Sequence, residues 1–380
     1  MHRLSFFIVA ASVLTAANAV ARPQYEAAAP IAYMVDMASG AVLIDKQSRQ
    51  KIPPASMAKM MTAYVAFDLI AEGKLNPETR FIVRPETWKA WSNTGSTMFL
   101  KPGERVRVAD LLHGVVTLSG NDAAIALAEG IAGSEAAFVA RMNVTAKKLG
   151  MKDSHFGTAN GWPDQGRTLT TAHDLALLGS RTIHDFPTLY RQYYGRSEFR
   201  WDNVTQRNRN PILGKIAGAD GVKTGHTDQA GYCFTGTAEQ KGRRIMLVVA
   251  GLPSISARAD ESIRMMRWGF EAWRAQPLFR ANRIVAHIPV QLGKETEIDA
   301  VAPRNLALVL PAKQTTRYKL VVRYHGPIRA PIKKGTEVAQ LVAKFSDGSE
   351  QIMPLIAARS VAATGFFGRA LNGVKLLAGL

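Results

Sequence analysis

Two side chains that could serve as a nucleophile and its base lie three residues apart in PPASMAKMM, residues 53–61: Ser56 and Lys59. On a helix that spacing sets the hydroxyl and the amine about 60° apart on one face. A serine hydroxyl attacks a carbonyl only with help from a base. A lysine becomes that base when burial or a nearby cation destabilises its charged form. The first turn of a helix also presents unpaired backbone N–H groups, which favour developing negative charge. Taken alone, the pair reads more simply as a capping serine and a snorkelling lysine. The same spacing recurs at Ser48 and Lys51, in a polar segment before Pro53 with no helix to hold it.

Two further strings change the balance. Ser119-Gly120-Asn121 falls at a turn between two helical segments, where both side chains can face a cleft. Lys223-Thr224-Gly225 precedes or opens a strand, and its glycine would let a substrate backbone come close. Lys223 would then be the second cation that Lys59 needs. Each string alone is common. In this order and in these contexts they form the motif set of penicillin-interacting serine enzymes.

With PPASMAKMMTAYV, TLSGNDAAIALAE and DGVKTGHTDQAGYCF in place, the chain resembles the low-molecular-weight penicillin-binding proteins of the D-alanyl-D-alanine carboxypeptidase type. The resemblance extends through a β-rich C-terminal region to the GFFGR tail. It implies that Ser56 attacks the bond between two D-alanines and forms an acyl-enzyme, with Lys59 taking the serine proton. It implies that Ser119 relays a proton to the leaving amine, that Lys223 polarises it, and that Asn121 holds the peptide amide. The backbone N–H groups of Ser56 and His226 would form the oxyanion hole. Arg258, or else Arg209, would meet the substrate's carboxylate, with Thr224 sharing it beside Gly225. The implied partners are peptidoglycan stem peptides and β-lactams, which would acylate Ser56. A D,D-endopeptidase shares this chemistry. A class A β-lactamase would add a glutamate in an E-x-x-L-N-type loop, which residues 122–222 lack. A non-catalytic wall-binding protein would not need all three motifs.

The elements that must position these residues are legible as pattern. Residues 31–47 read as two strands about Ser39-Gly40, and 53–73 as a helix with Met57, Met60, Met61, Tyr64 and Val65 along one face. Helices follow over 108–133 (broken at Ser119–Asn121), 134–150 and 170–183, then a hairpin of 232–238 and 243–250, then an amphipathic helix over 259–275. Helices before antiparallel strands, without βαβ units, predict a mixed α/β fold of an antiparallel sheet flanked by helices. From about residue 281 the chain turns to short β-rich segments. The expected organisation is a secretory leader over 1–21, a catalytic domain over 22–280, a small all-β domain over 281–358 and an amphipathic membrane-association helix over 359–380. In that tail Phe367, Ala370, Leu371, Val374, Leu377 and Ala378 share a face opposite Arg369, Asn372 and Lys375, with Leu376 the exception.

The formal charge of +18 on 380 residues suggests an anionic partner. In an exported chain that partner is a membrane surface or wall polymer rather than nucleic acid. The reading therefore places the protein at the periplasmic face of the cytoplasmic membrane, attached peripherally. The single cysteine, Cys233, precludes an intrachain disulfide and reads as a buried strand residue. No metal or nucleotide motif is present, and no cofactor is expected. His113, His173 and His184 read as packed or capping side chains, and His155 as a loop residue beside the cleft.

Overall fold

The computed structural model describes residues 23–365. The expected leader, 1–21, and residues 366–380 of the expected tail helix lie outside that range. The described chain forms two compact units. One holds Tyr25–Met37 and Val42–Phe270; the other holds Ala38–Ala41 and the residues from Glu271 onward.

The first unit is built on a five-stranded antiparallel sheet in the order Val42–Lys46, Ile31–Asp36, Arg243–Leu252, Gly231–Gln240, Ala219–Thr227. Helices carry the rest of its core, and the mixed α/β expectation holds. At the centre lies the helix Lys59–Ala71, entered through a 3₁₀ turn at Ala55–Ala58. The sequence predicts one apolar stripe on this helix. Instead every residue from Lys59 to Phe67 is buried. A helix wrapped on all sides has no solvent face to spend on polar residues, so its apolar character runs all round. Ala63 and Ala66 are fully buried. Side chains that small let neighbouring helices approach closely. The helix stops at Ala71, and Gly73 follows at φ +70°.

The helices flanking it are capped as their sequences suggest. Ser134 Oγ accepts from Ala137 N at 3.2 Å at the head of Glu135–Leu149, and Gly150 closes that helix in the left-handed region. Thr171 caps Ala172–Asp185 by accepting from Asp174 N at 3.1 Å. The helix Val108–His113 runs into a π-type turn, Gly114–Leu118, that ends on Ser119 with φ +63°. Asn121–Ala132 starts immediately after.

The edge strand Ala219–Thr227 presses on the Ala55–Ala58 turn. A Cβ at Gly225 would lie 2.7 Å from the Pro54 carbonyl oxygen and 3.2 Å from Ala55 Cβ. The glycine is needed for the close approach of the chain's own backbone, before any substrate is considered.

The second unit is all β. Its six-stranded sheet runs Tyr318–Arg323, Glu337–Phe345, Glu350–Ala357, Glu297–Val301, Ile284–Gln291, Ile328–Arg329, with a separate pair of Trp273–Phe279 and Leu306–Pro311. Ile288, Ile298, Leu308, Leu341, Met353 and Leu355 fill its core. Two expectations are corrected. The preceding helix is Ile255–Glu271, not 259–275. Trp273 to Phe279 is a strand because its backbone pairs with Leu306–Pro311, overriding the helix-forming Arg274 and Ala275. Residues 359–365 do not begin a helix. Val361 exchanges backbone hydrogen bonds with Ile332 at 2.8 Å, and Lys294 N donates to Ala362 O at 3.0 Å, so the chain stays tied to the β-rich unit through these positions.

Gly225→Ala is expected to lower the unfolding free energy by about 1–3 kcal/mol through overpacking against Pro54. Urea denaturation of the variant against wild type measures it.

Candidate active site

Ser56 sits in the 3₁₀ turn and Lys59 at the first α-helical position after it. In a 3₁₀ turn side chains at i and i+3 nearly eclipse, which brings the pair closer than an α-helix would. Lys59 Nζ lies 3.0 Å from Ser56 Oγ. Lys59 is 1% exposed, and its amine also donates to Asn121 Oδ1 and to the Asn160 carbonyl, each at 2.7 Å. Burial pulls its pKa down to about 7, with Arg209 adding to the fall and Asp122 opposing it. A neutral amine can keep two N–H bonds, on Asn121 and Asn160, and turn its lone pair to the serine hydroxyl.

The second lysine behaves differently from expectation. Lys223 is buried and also lowered well below the ordinary lysine range, by burial first and then by Lys59, Arg209 and Arg258. The cation that depresses Lys59 is Arg209; burial is the larger cause. Lys223 Nζ donates to the Thr224 carbonyl at 3.0 Å. Ser119, Arg209, Lys223 and Thr224 line one cavity, so three of the motifs' side chains and the exposed Arg209 converge there.

Ser119 is 4% exposed and held in the left-handed backbone region, unusual for a residue with a side chain. Asn121 Nδ2 donates to Thr94 O at 2.9 Å, and its backbone N–H to Ser96 O at 2.7 Å. The Ser96 hydroxyl pairs with the Arg209 guanidinium. The segment 94–100 thus backs the site. It is clamped by Asp122, whose buried carboxylate accepts from Thr97 Oγ1 at 2.6 Å, Met98 N at 2.8 Å and Leu100 N at 3.1 Å. Residues 158–162 form a second wall, with Asn160 against Lys59. Thr62 Oγ1 donates to Ala159 O at 2.5 Å, and a Cβ on Gly161 would fall 1.9 Å from the Ala55 carbonyl oxygen.

Arg258 is buried on the helix Ile255–Glu271, with Nε lacking a hydrogen-bond partner. It belongs to no ion pair among the described residues. His226, exposed, is the cross-strand partner of Tyr232. Gly225 lies between Thr224 and His226 on the same strand.

The decoy pair does not assemble. Ser48 is buried, its carbonyl accepting from His173 N at 3.0 Å, while Lys51 is exposed. His155 Nδ1 pairs with Arg167 O at 2.8 Å, a loop-bracing contact. His113 is buried beside Tyr193 and Phe199, where burial lowers it to about 4.

Residues 16–254 match the D-alanyl-D-alanine carboxypeptidase family model. The chain belongs to that family. Residues 273–363 match the C-terminal domain of penicillin-binding protein 5. The chain is 34% identical to the D-alanyl-D-alanine carboxypeptidase DacC of Escherichia coli over 97% of its own length and 93% of that protein. The fold is similar to penicillin-binding protein 5 from Haemophilus influenzae, with a TM-score of 0.75 and 31% identity over 90% of this chain and 99% of the other. It is also similar to the ampicillin-bound penicillin-binding protein D2 from Listeria monocytogenes, with a TM-score of 0.59 and 30% identity over 66% of this chain and 100% of that one.

Membership of the family does not by itself reveal Asp122, Asn160 or the segment 94–98, which sequence reasoning missed. Asp122 follows directly on the Ser119–Asn121 motif, and that adjacency was the available signal. Asn160 acts through its backbone, which leaves no residue-type signature.

Asp122→Asn puts an amide donor where Met98 and Leu100 N–H groups point. It should cost about 1–3 kcal/mol of stability. Chemical denaturation compared with wild type reads this directly.

Proposed function

We propose that the protein is a serine D-Ala-D-Ala carboxypeptidase that removes the terminal D-alanine from peptidoglycan stem pentapeptides. The observation that carries the reading is the buried Lys59 amine, lowered to about 7 and 3.0 Å from Ser56 Oγ. In this reading Lys59 takes the proton of Ser56 as the oxygen attacks the penultimate D-Ala carbonyl. Asn121 and Asn160 hold the amine so that its lone pair faces the hydroxyl. The second hydrogen of Asn121 Nδ2 and the second lone pair of Oδ1 can meet the peptide amide.

The tetrahedral oxyanion would be received by the backbone N–H groups of Ser56 and His226, two preorganised donors near the head of a helix. Collapse expels D-alanine, whose amine takes a proton through Ser119 with Lys223 polarising the path. Water then cleaves the acyl-serine ester and returns the hydroxyl. Arg258 suits the terminal carboxylate, since a buried guanidinium with an unpartnered Nε gains most from an anion. Thr224 is placed to share that carboxylate, with Gly225 between it and His226. Arg209, already engaged by Ser96, serves better as the cation that keeps Lys59 neutral. β-Lactams would acylate the same serine; structures of the similar penicillin-binding protein D2 hold ampicillin and cefotaxime.

We further propose export and peripheral attachment at the periplasmic face of the cytoplasmic membrane. The leader pattern of 1–21 and the basic amphipathic tail support this. Among the described residues no single helix is long and apolar enough to cross a membrane.

Purified protein should release free D-alanine from a pentapeptide ending in D-Ala-D-Ala, and Ser56→Ala should lower kcat by about a thousandfold or more. An equal release by the variant would remove Ser56 from the reaction.

A further inference from the structure

We infer that Tyr232 is a positioning residue, holding Arg258 and His226 against one ring so that recognition of the substrate's carboxylate and placement of the oxyanion donor depend on it. The inference deepens the proposed carboxypeptidase reading and rests on it.

Three elements meet at that ring. His226 is the last but one residue of the strand that carries Lys223-Thr224-Gly225, Tyr232 is the second of the neighbouring strand, and the two are register partners. Their rings stack at 3.9 Å between centroids with 28° between planes. The Arg258 guanidinium carbon lies 5.7 Å from the Tyr232 ring centroid, within cation–π range. Arg258 arrives from a helix, Ile255–Glu271, that lies outside the sheet.

Arg258 has little else to hold it. It is 6% exposed, forms no ion pair among the described residues and leaves Nε without a hydrogen-bond partner. A buried arginine normally sits against a carboxylate that fixes its fork. Here an aromatic face takes that position. A π face attracts the cation without consuming its N–H donors, so the guanidinium stays available for an incoming carboxylate. The same ring also stacks on the imidazole of His226, whose backbone N–H is the second oxyanion donor of the proposed reaction. A shift of Tyr232 would therefore move both groups.

A ring that only fills space would be replaced adequately by an aliphatic side chain of similar volume. The two roles separate with a pair of substrates, one peptide ending in D-Ala-D-Ala carboxylate and the same peptide as its C-terminal carboxamide. The readout is the acid-to-amide ratio of kcat/KM, with thermal melting as the fold control. Wild type should prefer the acid. Tyr232→Phe, which keeps the face, should hold the ratio within about twofold, and Tyr232→Leu should narrow it about tenfold. Tyr232→Met replaces the leucine variant if melting shows that variant unfolded. An unchanged ratio in a folded aliphatic variant overturns the positioning role. If wild type shows no acid preference, the assignment of Arg258 to the carboxylate fails, and the Tyr232 inference falls with it. That outcome is distinct from the first because it is visible before any Tyr232 variant is made.

Discussion

Everything in the site follows from burying one amine beside one hydroxyl. Lys59 is taken from water and supplied with three polar neighbours: Ser56 Oγ, Asn121 Oδ1 and the Asn160 carbonyl. None of these is a carboxylate. Dipoles satisfy the N–H groups without restoring the charged form as an anion would, so desolvation prevails and the amine is poised near neutrality. The wrapped helix Lys59–Ala71, which seemed only to be core, is what makes that desolvation complete.

The surrounding architecture keeps the three neighbours in place. Asp122 pins the segment that receives Asn121, and the glycines at 161 and 225 let two walls close on the Ala55–Ala58 turn. Strain at Ser119 is tolerated because the π-type turn before it and the Asn121–Ala128 part of the helix after it are buried. Arg209 lines the resulting cavity beside Lys223. Arg209 and Arg258 both help to lower Lys223, and Arg209 helps to lower Arg258. Such a field suits a substrate ending in a carboxylate, and it keeps both lysines from holding protons together.

Much of this was legible before the structure. The spacing of Ser56 and Lys59, the turn at Ser119–Asn121 and the hairpin after Lys223-Thr224-Gly225 each followed from local pattern, and so did the helices and the shift to β texture; Lys223 itself lies within the strand Ala219–Thr227 rather than before or at the start of one. Asp122 and Asn160 escaped because their work is directed at backbone groups, which carry no residue-type signature. Trp273–Phe279 escaped because its partner strand, Leu306–Pro311, is distant in sequence and because Arg274 and Ala275 extend the helical pattern before them. Residues 361–363 were read with the tail for the same reason: Ile332 and Gly293, their pairing partners, are distant in sequence. The source of the Lys59 depression was misjudged as a neighbouring lysine, since burial on every side of a helix cannot be read from a stripe.

The central claim is that Lys59, neutral above about 7, is the base for Ser56. The most direct measurement is the second-order rate of Ser56 acylation by a fluorescent penicillin across pH 5–9. Because the neutral amine is the active form, the rate should rise with pH through a midpoint near 7 and then level. A rate that is flat across that range, or that still climbs towards the ordinary lysine pKa near 10.4, would contradict the account.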